Sequence, residues 1–164
     1  MDLPASLLSA GVEAAVYALA VLGLLALARR LPWKELAGGV QLNVLFGFAV
    51  CLTLIWSMKA GVKPGLNLHL LGAMAATLAL GPWQAVAALA LALCGITLNG
   101  ALEWGDWPAN FVLMVLVPVA VASGLHRLVE RLLPAHFFIF IFVTGFAGSA
   151  LTVMAQGLTA STVL

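Results

Sequence analysis

From Leu36 to Met58 no residue carries a formal charge, and none does from Pro64 to Leu102. These runs constrain the fold more than any other feature, because water cannot cover them. A soluble domain carries roughly 25% charged residues. Here the share is 8%, against 64% hydrophobic, and the mean hydropathy is +1.16. The chain is therefore an integral membrane protein. Apolar runs recur along its whole length, so it reads as one transmembrane domain over residues 1–164, not as a soluble domain with an anchor.

Lipid satisfies no backbone hydrogen bonds, so only helices and closed barrels span it. A barrel needs polar/apolar alternation in segments of about ten residues, and a stretch such as "AVAALALALCGI" has none. Helical spans of about 20 residues give an all-α, polytopic bundle of about six transmembrane helices. The expected spans are 6–28, 38–58, 66–80, 83–102, 110–132 and 136–160, the third cut short by Gly81-Pro82. Pro32, Pro64, Pro82, Pro108 and Pro134 all fall in or beside the expected connections, where proline does least damage. The first span opens on Met1-Asp2-Leu3 without a basic leader, and Arg29 and Arg30 follow it. That order reads as a retained span starting at Met1, not as a cleaved signal peptide.

With six crossings, Arg29, Arg30, Lys34, Arg127 and Arg131 share one side, and only Lys59 and Lys63 lie on the other. The positive-inside rule makes the first side cytoplasmic and places both termini outside, in a multi-pass protein of a bacterial inner membrane. Net charge is +1, which points to no nucleic-acid partner. Cys51 and Cys94 lie within apolar runs without CxxC spacing and read as small buried hydrophobes. No P-loop, GxSxG elbow or HExxH helix is present. The expectation is a non-enzyme that cannot hydrolyse ATP by itself and carries no organic cofactor.

The same topology sorts the polar residues. Met1 with its α-amine, Asp2, Asn67, His69, Asn99, Glu103, Asp106 and Asn110 map to the outer leaflet or outer surface, and His126 and His136 to the opposite side. Polar groups are costly inside a bilayer and usually face a cavity or the bundle interior. Nitrogen and oxygen donors gathered at one face suggest a cation site open to the outside. His69 in "GLNLHLLGAM" is either a histidine satisfied by a neighbour or a metal ligand, imidazole being the commonest one. Glu13 reads as a helix–helix hydrogen-bonding group or part of a cation path. "EWGDWPAN" reads as an interfacial loop or a lid, and "HRLVERLLPAH" as a cytoplasmic anchor or docking surface.

Three stretches carry a family resemblance. "MDLPASLLS" resembles the "MHIPDGFLS" start of CbiM/NikM-like proteins, the cobalt- and nickel-binding membrane subunits of energy-coupling factor (ECF) transporters. "HLLGAMAATLALGP" resembles their "HPTGxGLGAILFGP", with His69 twelve residues before Gly81 and Gly72 in its place. "ANFVLMVLVP" resembles their "ANxFNMxxVGP".

The resemblance implies a bundle of six or seven helices whose outward N-terminus folds into the molecule. It also implies a metal held by the α-amine of residue 1, the amide and imidazole of residue 2, and the histidine matched by His69. Residue 2 is Asp here, and Leu70-Leu71 replace Pro-Thr. A carboxylate shifts preference from square-planar Ni(II) or Cu(II) toward harder ions, and Asp2, Glu103 or Asp106 would complete a mixed nitrogen/oxygen shell. The implied function is uptake of a divalent transition metal, cobalt or nickel, with a membrane coupling subunit, cytoplasmic ATPases and lipid as partners. The other class of function is a non-transport membrane protein of the same fold, a metal-handling assembly factor or a haem carrier.

Overall fold

The computed structural model describes residues 10–36, 39–57, 61–63, 66–67, 72–100, 102–132, 136, 138 and 140–163. Helix α1 spans Ala10–Arg30, the single turn α2 Trp33–Leu36 and α3 Val40–Ser57. A small antiparallel ribbon follows, pairing β1 (Gly61–Lys63) with β2 (Leu66–Asn67). Then come α4 (Ala73–Leu80) and α5 (Pro82–Leu98). Helix α6 is continuous over Trp104–Leu132, and α7 covers 140–163. The chain is an all-α membrane bundle. Among the described residues, α1, α3, α6 and α7 are long and apolar enough to cross a bilayer.

Local chemistry sets the boundaries. Pro32 cannot continue α1, and the indole Nε1 of Trp33 donates to the carbonyl of Ala28 at 2.8 Å, satisfying an end group that α1 leaves open. Gly39 takes φ 85 before α3, and Gly81 takes φ 83 between α4 and α5, a region that favours glycine. Pro82 starts α5 beside the Gly81 turn, and Pro108 sits in the first α-turn of α6, just after its opening 3-10 turn. In the first turn the missing proline N–H has no intrahelical partner to lose.

The third span differs from expectation. Among the described residues its helical part is Ala73–Leu80, about 12 Å at 1.5 Å per residue, too short to cross alone. Leu66 and Asn67 pair with Gly61–Lys63 in the ribbon instead, and Gly72 (φ 62) opens the helix. Hydropathy records the apolar run but not the turns at its two ends. Irregular backbone at this depth is tolerated where protein covers it, and α4 packs against α5, α6 and α7.

Helix directions follow from contacts at their ends. Gln84 Nε2 donates to Gln41 Oε1 at 3.4 Å, and Gly95 approaches Thr53, so α3 and α5 run parallel. The Tyr17 hydroxyl donates to the Gly105 carbonyl at 3.2 Å, and Gly23 packs on Leu116, so α1 and α6 run parallel. Arg30 lies 5.3 Å from the ring centroid of Trp83, which sets α1 antiparallel to α5. One end of the bundle therefore carries the start of α1, the ribbon, the end of α5 and the start of α6. The other carries Arg29, Arg30 and Arg127.

Helix α5 is the central element. Ala85, Ala88, Leu89, Ala92 and Leu93 are fully buried, with Phe111, Met114 and Val115 of α6 beside them. Apolar burial between helices gives little in lipid, so association rests on close packing of small residues. The alanines of α5 allow that closeness, and a Cβ on Gly95 would stand 2.8 Å from the Thr53 side chain. On α7, Thr144, Gly148, Thr152 and Gln156 are spaced four apart, all buried, and face the bundle. The Thr152 hydroxyl donates to the carbonyl four residues back, at 2.7 Å, so it needs no partner across the interface.

Candidate metal site

Met1, Asp2 and His69 lie outside the described residues. Asn67 is placed by its backbone, opposite Gly61 in the ribbon. Asn99 ends α5 with its N–H on the Gly95 carbonyl at 3.1 Å, and it is exposed; Gly100 (φ 74) turns the chain away. Glu103 is exposed, and its carbonyl accepts from the Asp106 N–H at 3.1 Å. Asp106 is half-buried, and Asn110, one turn further along, is fully buried. The Asn110 Nδ2 donates to the Asp106 carbonyl at 3.0 Å, tying the side chain to the entrance turn of α6. All five positions fall at one end of the bundle, as the sequence topology requires.

"EWGDWPAN" is not a loop. Trp104–Asp106 form a 3-10 turn that runs directly into the helix Trp107–Phe111, so α6 begins at 104 and not at 110. Trp107 stacks on Phe111 with centroids 5.0 Å apart, and its indole Nε1 is buried without a partner among the described residues. Just beyond, Val112–Leu116 take π-helical geometry ahead of the buried Pro118. A proline ring clashes with the carbonyl four residues earlier in a regular helix, and a widened turn relieves this. The distortion begins two residues after Asn110.

Glu13 lies on the described part of α1, half-buried. One turn on, Tyr17 joins α1 to the entrance of α6. Cys51 is exposed and Cys94 half-buried, both free, so the expectation of two buried thiols holds for neither. His126 Nε2 stands 3.4 Å from Glu130, and the His136 ring packs 5.9 Å from Phe138; His126 lies within the basic end of α6, beside Arg127, and His136 past it. Among the described residues, no three His, Cys, Asp or Glu side chains converge as a metal shell.

The structure adds a feature that motif reading missed. A cavity of about 160 Å³ lies between the start of α4 and α7, lined by Gly72, Met74, Ser149 and Thr152 among others. A Cβ on Gly72 would stand 2.5 Å from Leu52 Cδ2, so glycine is what allows α4 to begin against α3. The lining is mostly apolar, apart from the Met74 thioether and the Ser149 and Thr152 hydroxyls, which donate to carbonyls of their own helix. Its signals were available in the sequence: Met74 in the same stretch as His69, and the four-residue spacing on α7.

The family model CbiM, described as "Cobalt uptake substrate-specific transmembrane region", matches residues 2–164. No curated protein and no solved structure matches. The match spans the bundle from end to end, and on that ground the chain belongs to the CbiM family, membrane components of cobalt uptake.

Proposed function

We propose that the protein captures a divalent transition metal, cobalt or nickel, at its outer face and delivers it inward as the substrate-binding subunit of an ECF transporter. The cargo is held by the Met1 α-amine, Asp2 and His69, with Asn67, Asn99, Glu103, Asp106 and Asn110 as supporting polar groups. One observation carries the reading. Three residues after His69, Gly72 turns the chain at φ 62 into a short buried helix beside a cavity of about 160 Å³. Three residues of chain span at most about 10 Å, so a ligand at position 69 comes within reach of this protein-lined cavity, where a partly dehydrated ion avoids lipid. Asp2, where the family carries histidine, contributes an oxygen donor and loosens the demand for square-planar geometry.

Passage through the membrane needs an energy source that this chain's motifs do not supply. A coupling subunit in the membrane and cytoplasmic ATPases meet it, docking near Arg127 and Arg131 on the basic side. The test is cobalt and nickel titration of the purified protein, repeated with one residue added before Met1 and with Asp2→Ala. The reading expects both changes to weaken binding, the extension more; unchanged affinity with the extension would remove the N-terminus from the site.

A further inference from the structure

The basic end of the bundle holds a second cleft, at the opposite end from the proposed metal capture and bordering the Arg127 face proposed for docking. It measures about 380 Å³ and lies between the end of α1, the start of α5 and the middle of α6. Arg30, Trp83 and Arg127 form its mouth, and Val86, Leu116 and Val119 are among its apolar wall residues. We propose that this cleft binds one anionic phospholipid, with its phosphate between Arg30 and Arg127 and an acyl chain along the apolar wall.

The charge and the shape argue together. Arg30 stacks 5.3 Å from the Trp83 ring centroid, which holds the guanidinium over the cleft by cation–π attraction. Arginine recognises phosphate through paired N–H donors. The nearby carboxylate of Glu130 stands 3.4 Å from His126, and among the described residues neither Arg30 nor Arg127 forms an ion pair. Below the mouth, the wall descends from Arg127 to Leu116, eleven residues of helix or about 16 Å. That is about half the hydrocarbon thickness of a bilayer. Free phosphate would use the mouth and leave the wall empty, whereas a phospholipid fits both. Ala120 and Gly124 lie exposed on this wall, one turn apart, and a Cβ on Gly124 would meet nothing within 4 Å, so the groove opens outward to the bilayer. Basic pockets between helices on the cytoplasmic side recognise anionic headgroups by this chemistry.

Native mass spectrometry of the full-length protein in detergent tests the proposal, with dioleoylphosphatidylglycerol, dioleoylphosphatidylcholine and sodium phosphate as probes. The expected result is one retained phosphatidylglycerol, favoured about tenfold over phosphatidylcholine and not displaced by millimolar phosphate. The pair Arg30→Gln/Arg127→Gln should abolish the preference, and Ala120→Trp should do the same by filling the groove with both charges intact. The control pair Arg29→Gln/Arg131→Gln should keep it. Equal retention of the two lipids, or retained preference in both the arginine pair and Ala120→Trp, would overturn the proposal. Displacement by free phosphate would reduce the site to an anion site. Unchanged lipid preference in the arginine pair, with loss of a co-purifying protein partner, would assign the cleft to that partner instead.

Discussion

Helices α3 and α6 are both long enough to cross a bilayer, yet they are built differently. In α3 the buried residues Leu45, Ala49, Leu52 and Trp56 fall four, three and four apart, a single stripe, and most of the remaining surface faces outward. In α6 every residue from Ala109 to Val115 is buried, and the helix passes from a 3-10 turn through α and π geometry before it becomes regular. A helix bathed in lipid needs only apolar side chains and internal hydrogen bonds. A helix enclosed by protein and carrying Asn110 and Pro118 must deform to place them. Irregularity in this bundle marks the interior.

The contrast is tested most severely at the start of α4, where the interior meets α3. Gly72→Val combines left-handed strain with a clash on Leu52 and should destabilise by about 3 kcal/mol. Thermal unfolding in mild detergent reads this, and an unchanged midpoint would show that the turn is not required.

Next in size, Gly95→Leu drives a side chain into Thr53 and should cost about 2 kcal/mol, while Gly47→Leu on α3, where a Cβ meets nothing within 4 Å, should fall within about 0.5 kcal/mol of wild type. Equal effects at the two glycines would erase the distinction between lipid-facing and enclosed surfaces.

Asn110→Ala removes a buried hydrogen bond at the α6 entrance and should lose about 1.5 kcal/mol. Tyr17→Phe, which deletes a more exposed bond to Gly105, should lose about 0.5 kcal/mol in the same assay. A reversed order would place the anchor of α6 on α1 instead of in its own first turn.

The lipid-facing half of the molecule was legible in the sequence. The expected span 38–58 meets a helix over Val40–Ser57, because uncharged runs and a glycine bound it. The sorting of polar and basic residues to opposite ends followed from counting arginines and lysines. The interior was less legible. Hydropathy extended the third span over residues that form the ribbon, since it cannot register the φ of Gly72 or Gly81. "EWGDWPAN" looks like a loop by composition, but Pro108 sits where a helix accepts it. The cleft at the basic end joins Arg30, Trp83 and Arg127, which lie far apart along the chain, so no local pattern announces it. For the metal site, the sequence singled out Met1, Asp2 and His69, which lie outside the described residues. Among the described residues the structure shows the turn at Gly72 that follows His69 in sequence, the cavity beside Met74, and Asn110 buried at the entrance of α6.

The central claim is capture of cobalt or nickel at the end where α4 begins. The most direct measurement is isothermal titration of Co(II) into detergent-purified wild-type protein and His69→Ala, with folding verified by thermal unfolding. Wild type should bind an equimolar ion, and the variant should bind it at least about 100-fold more weakly, since the loss of even an outer partner of a metal ligand costs 10- to 100-fold. Equal affinity in the two proteins would contradict the account.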